Sequence, residues 1–181
     1  MKTINIIGGG LAGLSLGICL RRKDIPVAVH EKGSYPRHKV CGEFISGVTQ
    51  QTLRELGIDT QLSDALQHQN IHWWMGHEKL LTENLPEPAL GISRYTLDDR
   101  LAREFEHLGG KLHTGKRVST NDQMADGYVW AAGKPKHKQN NQPDWIGLKI
   151  HAAGAKLDGL HMHSSNSRGQ GGYVGLAQVE N

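Results

Sequence analysis

Apolar positions along this chain fall into short continuous runs and two periodic patterns. Ile4 to Ile7 are a continuous apolar run, as a strand buried on both faces of a parallel sheet shows. An apolar helical segment extends from there through Leu20 and ends on Arg21, Arg22 and Lys23, cations suited to a helix C-terminus. Pro26 to His30 then reads as a second strand with Glu31 directly behind it, and 33–44 as a loop rich in Pro, Gly and cations. Ser46 to Leu56 reads as a helix carrying Leu53 and Leu56 on one side and stopped by Gly57, with a shorter helix over 61–69. Ile71 to Met75 is strand-like by its aromatic content, and Pro86 and Pro88 break the next stretch, up to Gly91, into strand plus loop. Leu97, Leu101, Phe105 and Leu108 recur at i, i+4, i+8 and i+11. They predict a helix over 97–108 opened by a Thr96/Asp99 variant capping box and closed by Gly109 and Gly110. Strands are predicted at 111–118 and 126–133, and, after the polar stretch 134–144, at 145–152, 157–164 and 172–179. Alternation of Ile146, Leu148 and Ile150, and of Leu160 and Met162, predicts an antiparallel sheet with one wet face.

The junction of the first strand and helix carries the clearest chemistry. Gly8, Gly10 and Gly13 spell G-x-G-x-x-G directly after the strand. In that motif the first glycine permits a tight turn, the second leaves room for a pyrophosphate, and the third lets helix and strand pack closely. The N–H groups and positive dipole end of the helix then face the phosphates. Glu31 stands 23 positions after Gly8, near the spacing of about 20 at which a carboxylate accepts hydrogen bonds from a ribose 2′-OH.

Composition narrows the class. The 181 residues suit one large domain or slightly more. The hydrophobic share is 37%, but with the 23 glycines counted and tyrosine left out it comes near the usual ~45–50%, enough for a core. Net charge is +3, and the basic stretch 134–138 is too short to indicate nucleic-acid binding. Cys19 and Cys41 form no disulfide framework, so a reduced, cytoplasmic setting is the expectation. The apolar run from Ile4 to Leu20 holds five glycines and lacks a cleavage site, which sets it apart from a signal or membrane segment.

The fingerprint, YPRHKVCGEFIS at 35–46, ISRYTLDDRLARE at 92–104 and DGYVWAAGK at 126–134 together resemble, in order, the FAD-dependent oxidoreductases of the geranylgeranyl-reductase and p-hydroxybenzoate-hydroxylase type. WIGLKIH and GGYVGLAQVEN are similar to the start of that family's substrate-domain sheet. The resemblance implies an α/β fold: a Rossmann-like FAD-binding domain with a parallel sheet (1–45 and 92–134) and the beginning of an antiparallel-sheet substrate domain (46–91 and 145–181), joined by a linker at 135–144. It implies that Gly8, Gly10, Leu11, Ala12 and Gly13 meet the FAD pyrophosphate and Glu31, followed by Lys32, the adenosine ribose. Lys39, Cys41, Gly42 and Arg94 then lie toward the flavin, Val118 at adenine, and Ala132 and Gly133 at the adenosine end. It implies a hydrophobic, isoprenoid or aromatic, substrate, with NAD(P)H open as electron donor; no side chain is assigned as acid or base.

Plainer readings stand beside these. Cys41 has no base at fixed spacing, and Arg94 suits a salt bridge with Asp98 or Asp99 equally well. The eleven histidines include His68, His72, His77, His161 and His163, but no helical H-x-x-x-H with a carboxylate and no Cys pair; a solvent-facing stripe, and no metal, is the expectation. No G-x-S-x-G elbow or Walker loop occurs. Ala132-Gly133-Lys134 stands where hydroxylases of the family carry Asp-Gly, which favours the reductase branch. The family's second flavin motif is absent, so the chain is expected to be a fragment, a truncated relative, or half of a site completed by another chain. A non-catalytic nucleotide-binding module and an NAD-dependent dehydrogenase are the competing readings.

Overall fold

A computed structural model describes residues 1–118, 126–133, 146–167 and 170–180. The chain divides into two compact units. Unit 1 comprises Met1–His38, Gln50–Gln61 and Tyr95–Ile146; unit 2 comprises Lys39–Thr49, Leu62–Arg94 and Gly147–Asn181. The polar stretch 134–144, with its expected linker, lies outside the described residues.

Unit 1 is built on four parallel strands, β1 (Ile4–Ile7), β2 (Val27–His30), β6 (Lys111–His113) and β7 (Tyr128–Trp130). They lie in the order β6-β2-β1-β7. Helix α1 (Leu11–Arg21) connects β1 to β2 and buries Gly13, Leu14, Ser15, Gly17 and Ile18. Its last turn is tied down by Arg21, whose guanidinium donates to the carbonyls of Leu108 and Ile25, both at 2.9 Å. Helix α2 (Gln50–Leu56) starts four residues later than its apolar pattern suggests, because Ser46 to Thr49 are not helical and Gly47 has φ +71°. It stops at Gly57 as predicted, with the Ile58 N–H donating to the Leu53 carbonyl at 3.0 Å. Residues 50–61 cluster with unit 1, whereas the sequence places them with the second domain.

Helix α3 (Arg94–His107) begins three residues before the expected Leu97, so Thr96 and Asp99 lie inside it and form no capping box. Asp99 instead pairs with Arg103 one turn on, at 2.8 Å. The predicted face is present: Leu97, Leu101 and Phe105 are wholly buried, along with Ile6, Leu14, Ile18 and Val29. The Phe105 ring occupies the space beside Gly17 and Gly110. The expected strands 111–118 and 126–133 shrink to three residues each, β6 and β7.

Unit 2 holds a mixed sheet of five strands, β3 (Phe44–Ile45), β4 (Leu66–Met75), β5 (Glu78–Gly91), β8 (Leu160–Ser167) and β9 (Gln170–Leu176), in the order β3-β5-β4-β8-β9. It corrects the antiparallel expectation at one pairing, since β4 and β8 run parallel. The helix expected over 61–69 is a 3-10 turn, Thr60–Leu62, after which β4 begins at Leu66. The prolines do not end β5. His68 pairs with Ala89 and Asn70 with Asn84, so 85–88 bulge out opposite a single residue of β4. A bulge is where a residue without an N–H costs the ladder nothing. The strand expected at 145–152 is absent over its described part. Leu148 and Ile150 are 88% and 87% exposed, while the alternating Lys149 and His151 reach a buried carboxylate. The last two strands are displaced from 157–164 and 172–179 to Leu160–Ser167 and Gln170–Leu176.

Because Phe105 fills the centre of unit 1, Phe105→Ala is expected to lower stability by about 3–5 kcal/mol. A shift of the denaturant midpoint by less than a third of that would show that the core collapses into the gap.

Candidate nucleotide-binding site

The turn between β1 and α1 is held from three sides. Gly8 has φ +113°, a conformation side chains avoid, and its N–H donates to the His30 carbonyl at 2.8 Å. A Cβ there would also run into the Ala131 carbonyl and lie 2.8 Å from the Ala132 Cα, so the end of β7 closes against the turn. Gly13 lies directly against the Gly8 carbonyl, leaving no room for a Cβ between helix and strand. Gly10, the N-cap of α1, differs from both: its φ of −87° and ψ of −172° are extended backbone open to any residue. Among the described residues no side chain caps α1, and its first turn carries no acidic residue. The helix therefore presents its first N–H groups, with the positive end of its dipole, as an anion-binding arrangement.

Glu31 stands directly behind β2 and is 5% exposed. Its carboxylate accepts from the Gly9 N–H at 2.9 Å, the Gly33 N–H at 2.9 Å and the Arg37 guanidinium at 2.7 Å. The Tyr35 hydroxyl donates to the Gly9 carbonyl, so both backbone groups of Gly9 are engaged by this loop. Arg37 and Tyr35 are not apparent from the sequence: both are loop residues whose contacts span 6 and 26 positions. Nor does the sequence single out His30, whose ring meets the Asn5 side chain at 3.1 Å and stacks on His113 at 4.9 Å. Burial, with His113 adding to it, lowers the pKa of His30.

The structure brings Gly8, Gly10, Leu11, Ala12, Gly13 and Glu31 together around one turn, with Ala132 beside Gly8. Lys32 is exposed just past Glu31; Val118 is half-buried beyond β6, and Gly133 is exposed beyond β7. Lys39, Cys41, Gly42 and Arg94 belong to unit 2. There the Cys41 sulfur accepts from the Glu43 N–H at 3.5 Å, and the Arg94 N–H donates to Glu43 at 2.9 Å.

Glu43 is the buried charge of unit 2, and no local pattern in the sequence points to it. Besides the Arg94 N–H it takes Lys149 at 2.7 Å and His151 at 2.6 Å. Burial opposes its charge, but the bonds from Lys149, the Arg94 N–H and His151 outweigh it and lower the pKa. Beside it, the Ser93 N–H donates to Glu180 at 2.6 Å. The start of α3 is thus occupied by the protein's own carboxylates.

The parallel sheet, the glycine turn and the open helix end define a dinucleotide-binding domain of the Rossmann-like kind. The chain belongs to the family described as FAD binding domain, which matches residues 1–141. Conditioned medium factor receptor 1 of Dictyostelium discoideum is 41% identical over 141 residues, covering 68% of this chain and 27% of that protein. Menaquinone reductase of Mycobacterium tuberculosis is 25% identical over 118 residues, covering 62% and 29%. Among solved structures, 2-methyl-3-hydroxypyridine-5-carboxylic acid oxygenase superposes with a TM-score of 0.55 at 25% identity, over 65% of this chain and 32% of the other. The chain spans only about a quarter to a third of these proteins' lengths. Among the described residues no helix is long and apolar enough to cross a membrane.

The buried carboxylates generate two expected outcomes. Glu31→Ala strands the Gly9 and Gly33 N–H groups and Arg37, and is expected to cost about 1.5–3 kcal/mol in chemical denaturation even without ligand. Glu43, with its pKa lowered on folding, contributes stability in full above its ordinary value of 4.5 and loses it as pH falls through the folded value. The Tm gap between wild type and Glu43→Gln should therefore close on acidification below that value; a gap that persists into strong acid would contradict the assignment.

Proposed function

We propose that this chain is the FAD-binding part of a flavin-dependent oxidoreductase acting on a hydrophobic substrate. The observation that carries the reading is the uncapped N-terminus of α1 with Gly10 at its mouth. Gly8 and Gly13 are required by backbone conformation and packing, but the backbone at Gly10 does not demand glycine. In the G-x-G-x-x-G motif a glycine at that position leaves room for a pyrophosphate against the backbone. The pyrophosphate of FAD fits there, held by the N–H groups of Leu11 and Ala12. The adenosine ribose reaches Glu31, where its hydroxyls exchange with Arg37, whose side chain is 29% exposed and can swing away. In the same reading Val118 touches adenine, and Ala132 and Gly133 close the adenosine end. Lys39, Cys41, Gly42 and Arg94 serve the flavin side, and Lys32 stands at the rim.

Bound FAD supplies the hydride and electron chemistry, and the chain supplies binding and orientation. The substrate class rests on the family resemblance and on relatives. One is named for menaquinone reduction and one oxygenates a pyridine carboxylic acid, so both the reductase and the monooxygenase branch have support. NAD(P)H is the electron donor proposed for either. A second reading is a nucleotide-binding module without catalysis of its own, since the groups gathered around the glycine turn suit the adenosine-diphosphate end alone.

The test is a visible absorption spectrum of the purified full chain with added FAD. Near-unit retention of flavin after gel filtration is expected. Gly10→Val, whose backbone angles valine accepts, is expected to abolish retention with the circular dichroism spectrum unchanged. Equal flavin retention by Gly10→Val would overturn the pyrophosphate assignment. Retention of ADP but not of flavin would select the module.

A further inference from the structure

The parallel pairing of β4 with β8 has a chemical consequence in unit 2. It places His72 directly opposite His161 in register, on one face of the sheet, with ring centroids 4.7 Å apart. Asp158 precedes β8 by two residues, and its carboxylate reaches both rings. Its Oδ1 lies 2.9 Å from His161 Nε2 and 3.3 Å from His72 Nε2. The chain passes this close because residue 159 is glycine, where a Cβ would stand 3.1 Å from His72 Nε2 and nearer still to the Asn70 carbonyl. His72 is 3% exposed, and its buried Nε2 makes no hydrogen bond, its neighbour Asp158 being out of alignment. A buried ring nitrogen aimed without a hydrogen bond at a second imidazole and a carboxylate is costly unless something else uses its lone pair.

We propose that His72 Nε2, His161 Nε2 and Asp158 Oδ1 form a binding site for a divalent transition-metal ion of borderline softness, with Zn2+ the best fit. The three ligand atoms lie within 4.8 Å of one another. Tetrahedral ligands at about 2.0–2.1 Å from zinc stand roughly 3.3–3.4 Å apart; the two carboxylate–imidazole spacings of 2.9 and 3.3 Å are already near this, and the two imidazole nitrogens, within 4.8 Å of each other, adjust to it. Two imidazoles and one carboxylate suit zinc or its neighbours, whereas a single carboxylate is too few hard ligands for calcium or magnesium. His72 can coordinate through Nε2 when its proton sits on Nδ1, and Thr82 Oγ1 accepts there at 2.8 Å. Trp74 and His163 extend the stack beyond His161 and fix that ring's plane. The Lys79 ammonium stands 3.4 Å from His72 Nδ1, over the Trp74 face. It opposes the ion and limits affinity without blocking the Nε2 side. Asp158 is 72% exposed, leaving the fourth position open to water.

Titration of the full chain with Co2+, read by the visible d–d absorption of the bound ion and completed by displacement with Zn2+, tests the site. One saturable equivalent is expected without FAD. Asp158→Ala and His161→Ala, both outside the core, are each expected to weaken binding at least tenfold while the circular dichroism spectrum stays unchanged. Zn2+ should raise the Tm of wild type and not of the double variant. Absence of a saturable equivalent overturns the proposal. So does equal affinity in the two variants, which would assign the ion to other histidines.

Discussion

The whole arrangement of unit 1 depends on keeping one helix end open. An uncapped helix N-terminus costs the hydrogen bonds of its first N–H groups, and proteins ordinarily supply a side chain there. The two long helices of this chain treat the problem in opposite ways. At α3 the Ser93 and Arg94 N–H groups are met by Glu180 and Glu43. At α1 no side chain among the described residues does so, although a carboxylate is close by: Glu31 binds the Gly9 N–H, one residue short of the cap. The turn is thereby fixed by a charge that stops just before the positive helix end, and the end itself stays available to an anion.

That constraint explains where the rigidity comes from. The turn cannot be held by bonds to the groups it must leave open, so it is held by the backbone around them. The His30 carbonyl takes the Gly8 N–H, the Ile7 carbonyl takes the Ala131 N–H at 2.8 Å, and Gly13 abuts the Gly8 carbonyl. The neighbouring parallel strands β2 and β7 thus contribute backbone, not side chains, to the floor of the site. The core of Leu14, Ile18, Val29 and Phe105 beneath keeps the helix axis fixed. Electrostatics does the rest, because Arg37 neutralises Glu31 at 2.7 Å in a place where an unpaired carboxylate would be expensive.

How much of this is legible in the sequence depends on the range of the interactions involved. The fingerprint glycines, Glu31 and the buried face of α3 are readable because their signals are local: a turn, a spacing, a 3.6 period. The beginnings of α2 and α3 are not, because an apolar face says where a helix packs and not which N–H it satisfies first. The stretch 146–152 shows the limit most clearly. Its alternation predicts a strand with Ile146, Leu148 and Ile150 inside, but these three are exposed and it is Lys149 and His151 that reach the buried Glu43, through two charge-assisted bonds. Glu43 lies more than a hundred positions away, and no local pattern contains it. The convergence of His72 and His161 is hidden for the same reason. It arises from a parallel strand pairing, and parallel pairing across a long connection leaves no signature in either strand alone.

The two units also divide the chemistry by kind. In unit 1 the groups left available at the turn are chiefly backbone N–H, which at Leu11 and Ala12 do not depend on the side chain, at the positive end of a helix. In unit 2 the notable groups are side chains in fixed constellations: Glu43 with Lys149 and His151, and Asp158 with two imidazoles. Backbone recognition needs only that the fold persist, and the fold does persist where identity over the aligned part is 25%. Side-chain constellations are lost by a single substitution. The family match over residues 1–141 takes in the glycine turn together with β3, β4 and β5, whereas Lys149, His151, Asp158 and His161 lie beyond it.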